Sequence, residues 1–379
     1  MILYIDNTIE EEFSRRNFTD PELLFFLRLA DFHRRGKCKL CGEIHCLNRL
    51  CQSVSDPLNG VFRTILNHYA EQGAALKSVD MVFVLTCSNF AEKRILPQCI
   101  GEGIECCYIP LEYAMDWDFC PVALVAENGD DCAFYMAISE WYRSQKDLHG
   151  VCVNLSQKPG GGSTTHTMLE LSVTDHKVLT LCIVDSDKKW DKSKEYPQEP
   201  AQGDTYLAVR RTSEKFKSDN YPPHCVQVVD AHEAENLIPL AVLAELEKQF
   251  PCIEPGLSKL RQLAIIDKGI PALCYDIKQG FRYLTKEQQI AYWKGIHINK
   301  LGGCIDDFPP KCNSKEEKFE VCAAFPPISL AHLLILRRAT KYISEHLNDI
   351  NVDDYLLPIW EKIGRTILTW GYAERPYSA

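Results

Sequence analysis

No apolar run in the chain approaches the roughly 20 residues that a bilayer-spanning helix needs, so no membrane segment is expected. The start, MILYIDNTIEEEF, is acidic and lacks the basic residues and long apolar core of a secretory leader. Both absences point to a cytoplasmic protein. The phosphate-binding pattern G-x-x-x-x-G-K-[ST] does not occur, which argues against a P-loop ATPase. Internal repeats are lacking too. Positive charge is in deficit, with 42 Lys and Arg against 52 Asp and Glu and a net charge of −10. Nucleic-acid binders gain affinity by neutralising phosphates. The acidic total therefore predicts weak non-specific binding by this chain alone, or help from a partner.

What is present fits a globular protein. The 379 residues suffice for two or three domains, and 46% hydrophobic with 25% charged residues is an ordinary soluble balance. Cysteine is abundant, with 18 residues. Most sit singly in apolar stretches, such as Cys87 in VFVLTC and Cys182 in LTLCIVD, where a reducing compartment makes them small core hydrophobes. One cluster differs. CKLCGEIHCLNRLC places Cys38, Cys41, Cys46 and Cys51 at C-x2-C-x4-C-x4-C, the spacing of a zinc knuckle with Cys at the usual His position. Four thiolates suit a structural Zn²⁺ and leave no open position for catalysis. His45 competes with Cys46 as a ligand. Arg34, Arg35, Lys37, Lys39 and Arg49 make the segment locally basic.

Three regions are expected. Residues 1–117 mix helical patterning with one strand-like run, Met81–Cys87, and carry the zinc knuckle. Residues 118–240 alternate in period. PVALVAE, VCVNLS, VLTLCIVDSD and HCVQVVD read as four strands separated by helical stretches, the signature of an α/β fold with a parallel, Rossmann-like sheet. Residues 241–379 are helical, with three-to-four spacing of apolar residues in LTKEQQIAYWKGI and ISLAHLLILRRATKYISEHL.

Carboxylates stand where these strands should end. Glu127 closes the first strand, with Asp131 four residues on. Asp185 and Asp187 close the third, and in extended chain alternate residues point the same way. Glu233 and Glu235 follow the fourth. Clustered carboxylates repel unless a cation neutralises them, and oxygen ligands suit Mg²⁺ or Mn²⁺. A metal held this way activates water for phosphoryl transfer. The glycine turn PGGGS lies between the motifs, where its backbone could approach a ligand or neighbouring strand closely.

VALVAENGDDCAFY resembles the first Toprim motif and CIVDSDKK the second, with its D-x-D. DAHEAENLIPL is similar to the acidic E-N-hydrophobic segment that follows the Toprim core in nucleases of the overcoming-lysogenization-defect type and their relatives in bacterial phage defence. About 120 residues carry the resemblance. It implies a catalytic set of Glu127, Asp131, Asp185, Asp187 and Glu235. Glu127, Asp185, Asp187 and Glu235 would hold Mg²⁺ or Mn²⁺, with Glu127 alternatively the general acid or base. Asn128 stands where the family has glycine, which leaves Asp130 as a rival to Asp131. The resemblance also implies a metal-dependent endonuclease cutting DNA or RNA beside a separate ATPase partner, a setting in which a homo-oligomer is equally compatible.

Lys188, Lys189 and Lys192 around Trp190, with Arg210 and Arg211 on the next helix, would hold a phosphate backbone beside the metal. Interspersed acids allow a plain solvated surface as the other reading. Asp276, Lys278 and Gly280 in CYDIKQGFRY read as a loop anchor, with approach to the active site as the other reading. His166 reads as a surface histidine, with an auxiliary role beside the glycine turn as the alternative. Topoisomerase or primase chemistry finds no tyrosine domain or polymerase surroundings in the sequence. The remaining alternative is a non-catalytic subunit that binds nucleic acid or protein through zinc and helical docking domains.

Overall fold

A computed structural model describes residues 1–53, 59–87, 104–187, 205–217, 221–278, 280, 287–303, 324–328 and 334–377. The first region holds a sheet of its own. β1 (Ile2–Ile5), β2 (Lys39–Gly42), β3 (Met81–Thr86) and β4 (Glu105–Pro110) pair in parallel in the order β2-β1-β3-β4. Only β3 was legible in the sequence. β1 and β2 are four residues each and buried at every position, so they show no alternation to read.

The central region contributes β5 (Asp118–Ala126), β6 (Val151–Val153), β7 (Leu155–Pro159), β8 (Val178–Asp185) and β9 (His224–Val229). Four of them form a second parallel sheet in the order β7-β5-β8-β9. The expected strands are present, with one correction: VCVNLS is two strands, not one. The chain turns at Asn154, whose N–H donates to the Gly371 carbonyl and whose Nδ2 donates to the Gly36 carbonyl. β7 then joins β5, while β6 pairs antiparallel with β10 (Tyr372–Glu374) near the end of the chain.

Both faces of the central sheet are covered. On one lies the Gly129–Gln145 helix, packed in turn against the Ile335–Glu345 and Leu357–Gly371 helices of the third region. Its Phe134, Tyr135, Ile138 and Trp141 join a buried cluster that runs from Met1 to Tyr372. On the other face the Thr165–Thr174 and Thr205–Lys215 helices enclose a smaller cluster of Val125, Leu169, Val173, Cys182, Val184, Val209 and Phe216. This double cover explains why VLTLCIVD reads as a continuous apolar run. From β5 the chain crosses one way to β7, then back to β8. The carboxyl ends of β5 and β8 therefore flank the point where strand order reverses, the usual ligand crevice of an open parallel sheet. No helix among the described residues is long and apolar enough to cross a membrane.

Candidate metal centre

Glu127 is the first residue beyond β5, and the glycine turn holds it in place. The N–H groups of Gly161 and Gly162 donate to the Glu127 carbonyl at 2.8 and 2.9 Å, and Gly160 donates to Ala126 at 2.7 Å. The close approach expected of PGGGS is thus made to the neighbouring strand end. A side chain at Gly160 would lie 2.5 Å from Thr165 Oγ1, so the turn needs glycine there.

Asn128 caps the Gly129–Gln145 helix, its Oδ1 accepting from the N–H groups of Asp130 and Asp131. Asp131 Oδ2 accepts the Asn128 N–H in return at 3.0 Å. This reciprocal cap is the local reason for asparagine where a glycine was expected. Asp130 turns outward to an ion pair with Arg337 at 3.0 Å, whereas Asp131 is buried toward the sheet edge.

Asp185 ends β8 and is buried. Its Oδ1 accepts from the Tyr135 hydroxyl at 2.9 Å and its Oδ2 from the Ala234 N–H at 3.0 Å. Asp187 does not continue the strand. It takes a left-handed backbone at φ 52°, which disfavours a non-glycine residue, so alternation along an extended chain is not what orients it. It still lies near enough to raise the Glu127 pKa.

Glu235 sits in a short buried turn, Ala234–Leu237. Its Oε1 meets Lys278 Nζ at 3.1 Å, and its Oε2 is buried without a hydrogen-bond partner among the described residues. Asn236 brings the lysine here. Its Nδ2 donates to the carbonyls of Ala272 and Tyr275 at 2.8 and 2.7 Å, pinning the 270s loop against the sheet edge. Lys278 also pairs with Glu233 Oε2 at 3.5 Å. Of the two readings of this segment, approach to the site is the one that Lys278 follows, through its ion pairs with Glu235 and Glu233.

The electrostatics follow from this crowding. Burial, then Asp187 and Asp131, push Glu127 up to about 7, against partial relief from Lys278. Burial and Glu235 raise Asp131 to about 6. Burial, with Asp131 and Glu127 nearby, holds Asp185 well above the carboxylate range despite the Tyr135 hydrogen bond. Among the described residues, the ion pairs to this group bring one ammonium, that of Lys278, against several acids.

The carboxylates interact without gathering tightly. Among the described residues, the one group of three or more His, Cys, Asp or Glu whose ligand atoms lie within 4.8 Å of one another is His232, Glu233 and Asp276. The set Glu127, Asp185, Asp187 and Glu235 is wider than that.

Among the described residues, Cys38, Cys41, Cys46 and Cys51 do not form one compact ligand group. Cys41 lies within β2, paired with Tyr4, while Cys46 and Cys51 lie on the Ile44–Ser53 helix. Cys38, Cys41 and Cys46 are buried in the main core, and burial pushes the Cys46 thiol up, away from thiolate. Cys38 just precedes β2 and Cys41 lies within it. Four of the segment's five basic residues are in ion pairs, Arg34 and Arg35 with Asp31, Lys39 with Glu374 and Arg49 with Glu10, while Lys37 lies over the Phe32 ring.

Lys188, Lys189 and Lys192, with Trp190, lie outside the described residues. Arg210 and Arg211 are exposed on the Thr205–Lys215 helix, where Arg210 bonds Glu214 and Tyr206 of its own helix. His166 is half-buried, and its Nδ1 lies 2.9 Å from the Ser163 carbonyl. Comparison with protein-family models, characterised proteins and solved structures finds no match.

Proposed function

We propose that the chain is a divalent-metal-dependent nuclease of the Toprim type. The observation that carries this reading is the crowded carboxylate group at the strand-order reversal. Glu127, Asp131 and Asp185 have raised pKa values there, and Glu235 Oε2 is buried without a hydrogen bond. Such a group is relieved by protons or by a cation. Glu127, Asp185, Asp187 and Glu235 would hold Mg²⁺ or Mn²⁺, with Asp131 in support. Bound there, the metal supplies Lewis acidity that activates a water and stabilises the leaving oxygen of a phosphodiester.

The chain's own residues have separable tasks. In its alternative role, with the metal held by Asp185, Asp187 and Glu235, Glu127, raised to about 7, would take a proton from the attacking water and return one to the leaving alcohol. Tyr135 and the Ala234 N–H fix the Asp185 carboxylate from behind. Lys278, its side chain 41% exposed, can reach a phosphate oxygen from solvent. Arg211 and the lysines after Asp187 are the proposed backbone contacts. The proposal carries no zinc. An ATPase partner and a role in prokaryotic anti-phage defence rest on the sequence resemblance and the missing P-loop. The proposed substrate is DNA or RNA.

The test is cleavage of supercoiled plasmid and of a structured RNA with Mg²⁺ or Mn²⁺, alone and with an adjacently encoded ATPase. Asp185→Asn and Glu127→Gln should each lower the rate by roughly 10²–10⁴-fold, the range of a lost acid–base or ligand group. Full activity in both variants would overturn the assignment.

A further inference from the structure

Beside the carboxylate group lies a second arrangement with different chemistry. We propose that His232, Glu233 and Asp276 form a separate binding site for a divalent transition metal, one that accepts mixed nitrogen and oxygen ligands, with Mn²⁺ as its probe. This inference does not rest on the nuclease reading.

Geometry comes first. One ligand atom from each of the three residues lies within 4.8 Å of the others. Metal bonds of roughly 2.0–2.2 Å place donors on opposite sides of an ion up to about 4.4 Å apart. Three donors within 4.8 Å of one another close onto one ion by shifts of well under about 1 Å each.

An independent observation points to a ligand. His232 is 2% exposed, yet neither ring nitrogen has a hydrogen-bond partner among the described residues. Its Nε2 stands 3.6 Å from Asp276 Oδ2, beyond hydrogen-bonding distance. A neutral imidazole has one donor and one acceptor nitrogen, and burying both unmet is costly. Such a group in a native fold calls for a specific reason, an ion among them. Glu233 Oε2 is likewise buried without a hydrogen bond, meeting only the Lys278 ion pair at 3.5 Å.

The two segments that carry the site are fixed before any ion arrives. His232 N–H donates to the Leu273 carbonyl at 2.7 Å, and Asn236 holds Ala272 and Tyr275 from the same turn. These bonds set His232 and Glu233 opposite Asp276 by backbone contacts that a change of side-chain ligand leaves intact. Lys278 stands between this site and Glu235, nearer to Glu235. Glu233 and Asp276 supply two carboxylates as oxygen donors for a divalent cation. An imidazole in the set favours borderline transition metals over Mg²⁺ or Ca²⁺, which take oxygen alone.

The experiment is electron spin-echo spectroscopy of Mn²⁺ added to the full chain after dialysis against chelator. A directly bound imidazole gives ¹⁴N modulation that an all-carboxylate site does not. The wild type should show it. His232→Gln should lose it together with about one Mn²⁺ per chain, and Asp185→Asn should keep it. Asp276→Asn, nearly isosteric, guards against misfolding of the histidine variant. It should weaken Mn²⁺ at this site by ten-fold or more while circular dichroism stays unchanged. Absence of ¹⁴N modulation from the Mn²⁺-saturated wild type, or its persistence in His232→Gln, overturns the site and indicates a His232–Asp276 hydrogen-bonded pair. Cleavage assays on the same samples keep the readings separate. Lost modulation with intact metal-dependent cleavage removes only this site. Modulation with cleavage indifferent to Asp185→Asn removes only the nuclease reading.

Discussion

Asp130 pairs with Arg337 across solvent, while Asp131, one residue on, is buried and raised to about 6 by burial and Glu235. The two should therefore respond differently to the same substitution. Asp130→Ala removes an exposed ion pair, which contributes about 0–1 kcal/mol, and should leave metal-dependent cleavage unchanged. Asp131→Ala removes half of the reciprocal cap at Asn128, costing about 1 kcal/mol, and should slow cleavage by at least about ten-fold. Thermal denaturation and plasmid nicking, run on both variants, check the contrast; equal rates would deny Asp131 a part in the site. Spacing alone already favoured Asp131 over Asp130, because four residues beyond a strand end is one helical turn. Lys278 had no such signal. Nothing within CYDIK distinguishes a lysine that reaches a carboxylate group about 40 residues upstream from one that reaches solvent. Its role depends on Asn236, whose amide bonds to two backbone carbonyls are invisible in a sequence.

Elements carry the same dependence. Asn236→Ala would leave the Ala272 and Tyr275 carbonyls without that donor, at a cost of about 1–3 kcal/mol for each buried group left unmet. It should also loosen the 270s loop, so that cleavage falls further than in Lys278→Met by itself. A variant with the stability loss but with activity equal to Lys278→Met would show that the loop keeps its place without Asn236. Gly160→Ala is a second element-scale test. The added Cβ would clash with the Thr165 backbone and side chain, costing about 1–3 kcal/mol by overpacking and displacing the turn that holds the Glu127 carbonyl. A melting temperature matching wild type would show that the turn yields freely. The parallel strands of 118–240 were legible because doubly covered strands are long apolar runs bounded by polar turns. β1, β2 and β4 were not. Four-residue strands carry no period, and β4 ends ECCYIP with mixed burial. The cysteine spacing is ambiguous for a related reason. C-x2-C is equally the pattern of a short strand and its flank, and spacing does not report whether the thiols face one point.

At the scale of the whole molecule, the carboxylate group makes stability depend on pH in a direction that can be worked out. Glu127 rises from its ordinary 4.5 to about 7 on folding, and Asp131 from 3.8 to about 6. A carboxyl with a higher pKa in the folded state binds its proton more tightly there, so its contribution is full below the unfolded value and is lost as pH rises through the folded one. Glu22 acts oppositely. Its bonds to Arg16 lower it to about 2, so its contribution is present above 4.5 and is lost as pH falls toward 2. Together these place the stability maximum of the metal-free chain near pH 5, with a decline from there to about pH 7. A cation bound by the same carboxylates must displace their protons, so its stabilising effect grows through that window. At a hundred times its dissociation constant a cation adds about 2.7 kcal/mol. The site also joins two regions, since Glu127 and Asp185 come from 118–240 and Lys278 from 241–379, within one continuous core. The shift should therefore appear in global unfolding and not in a separate local transition. Melting curves at pH 5, 6, 7 and 8, in chelator and in Mn²⁺, test this. The expected result is a single transition whose Mn²⁺-induced rise is small at pH 5 and largest at pH 7 and above. A rise of the same size at every pH would mean that the cation binds elsewhere than among the protonated acids.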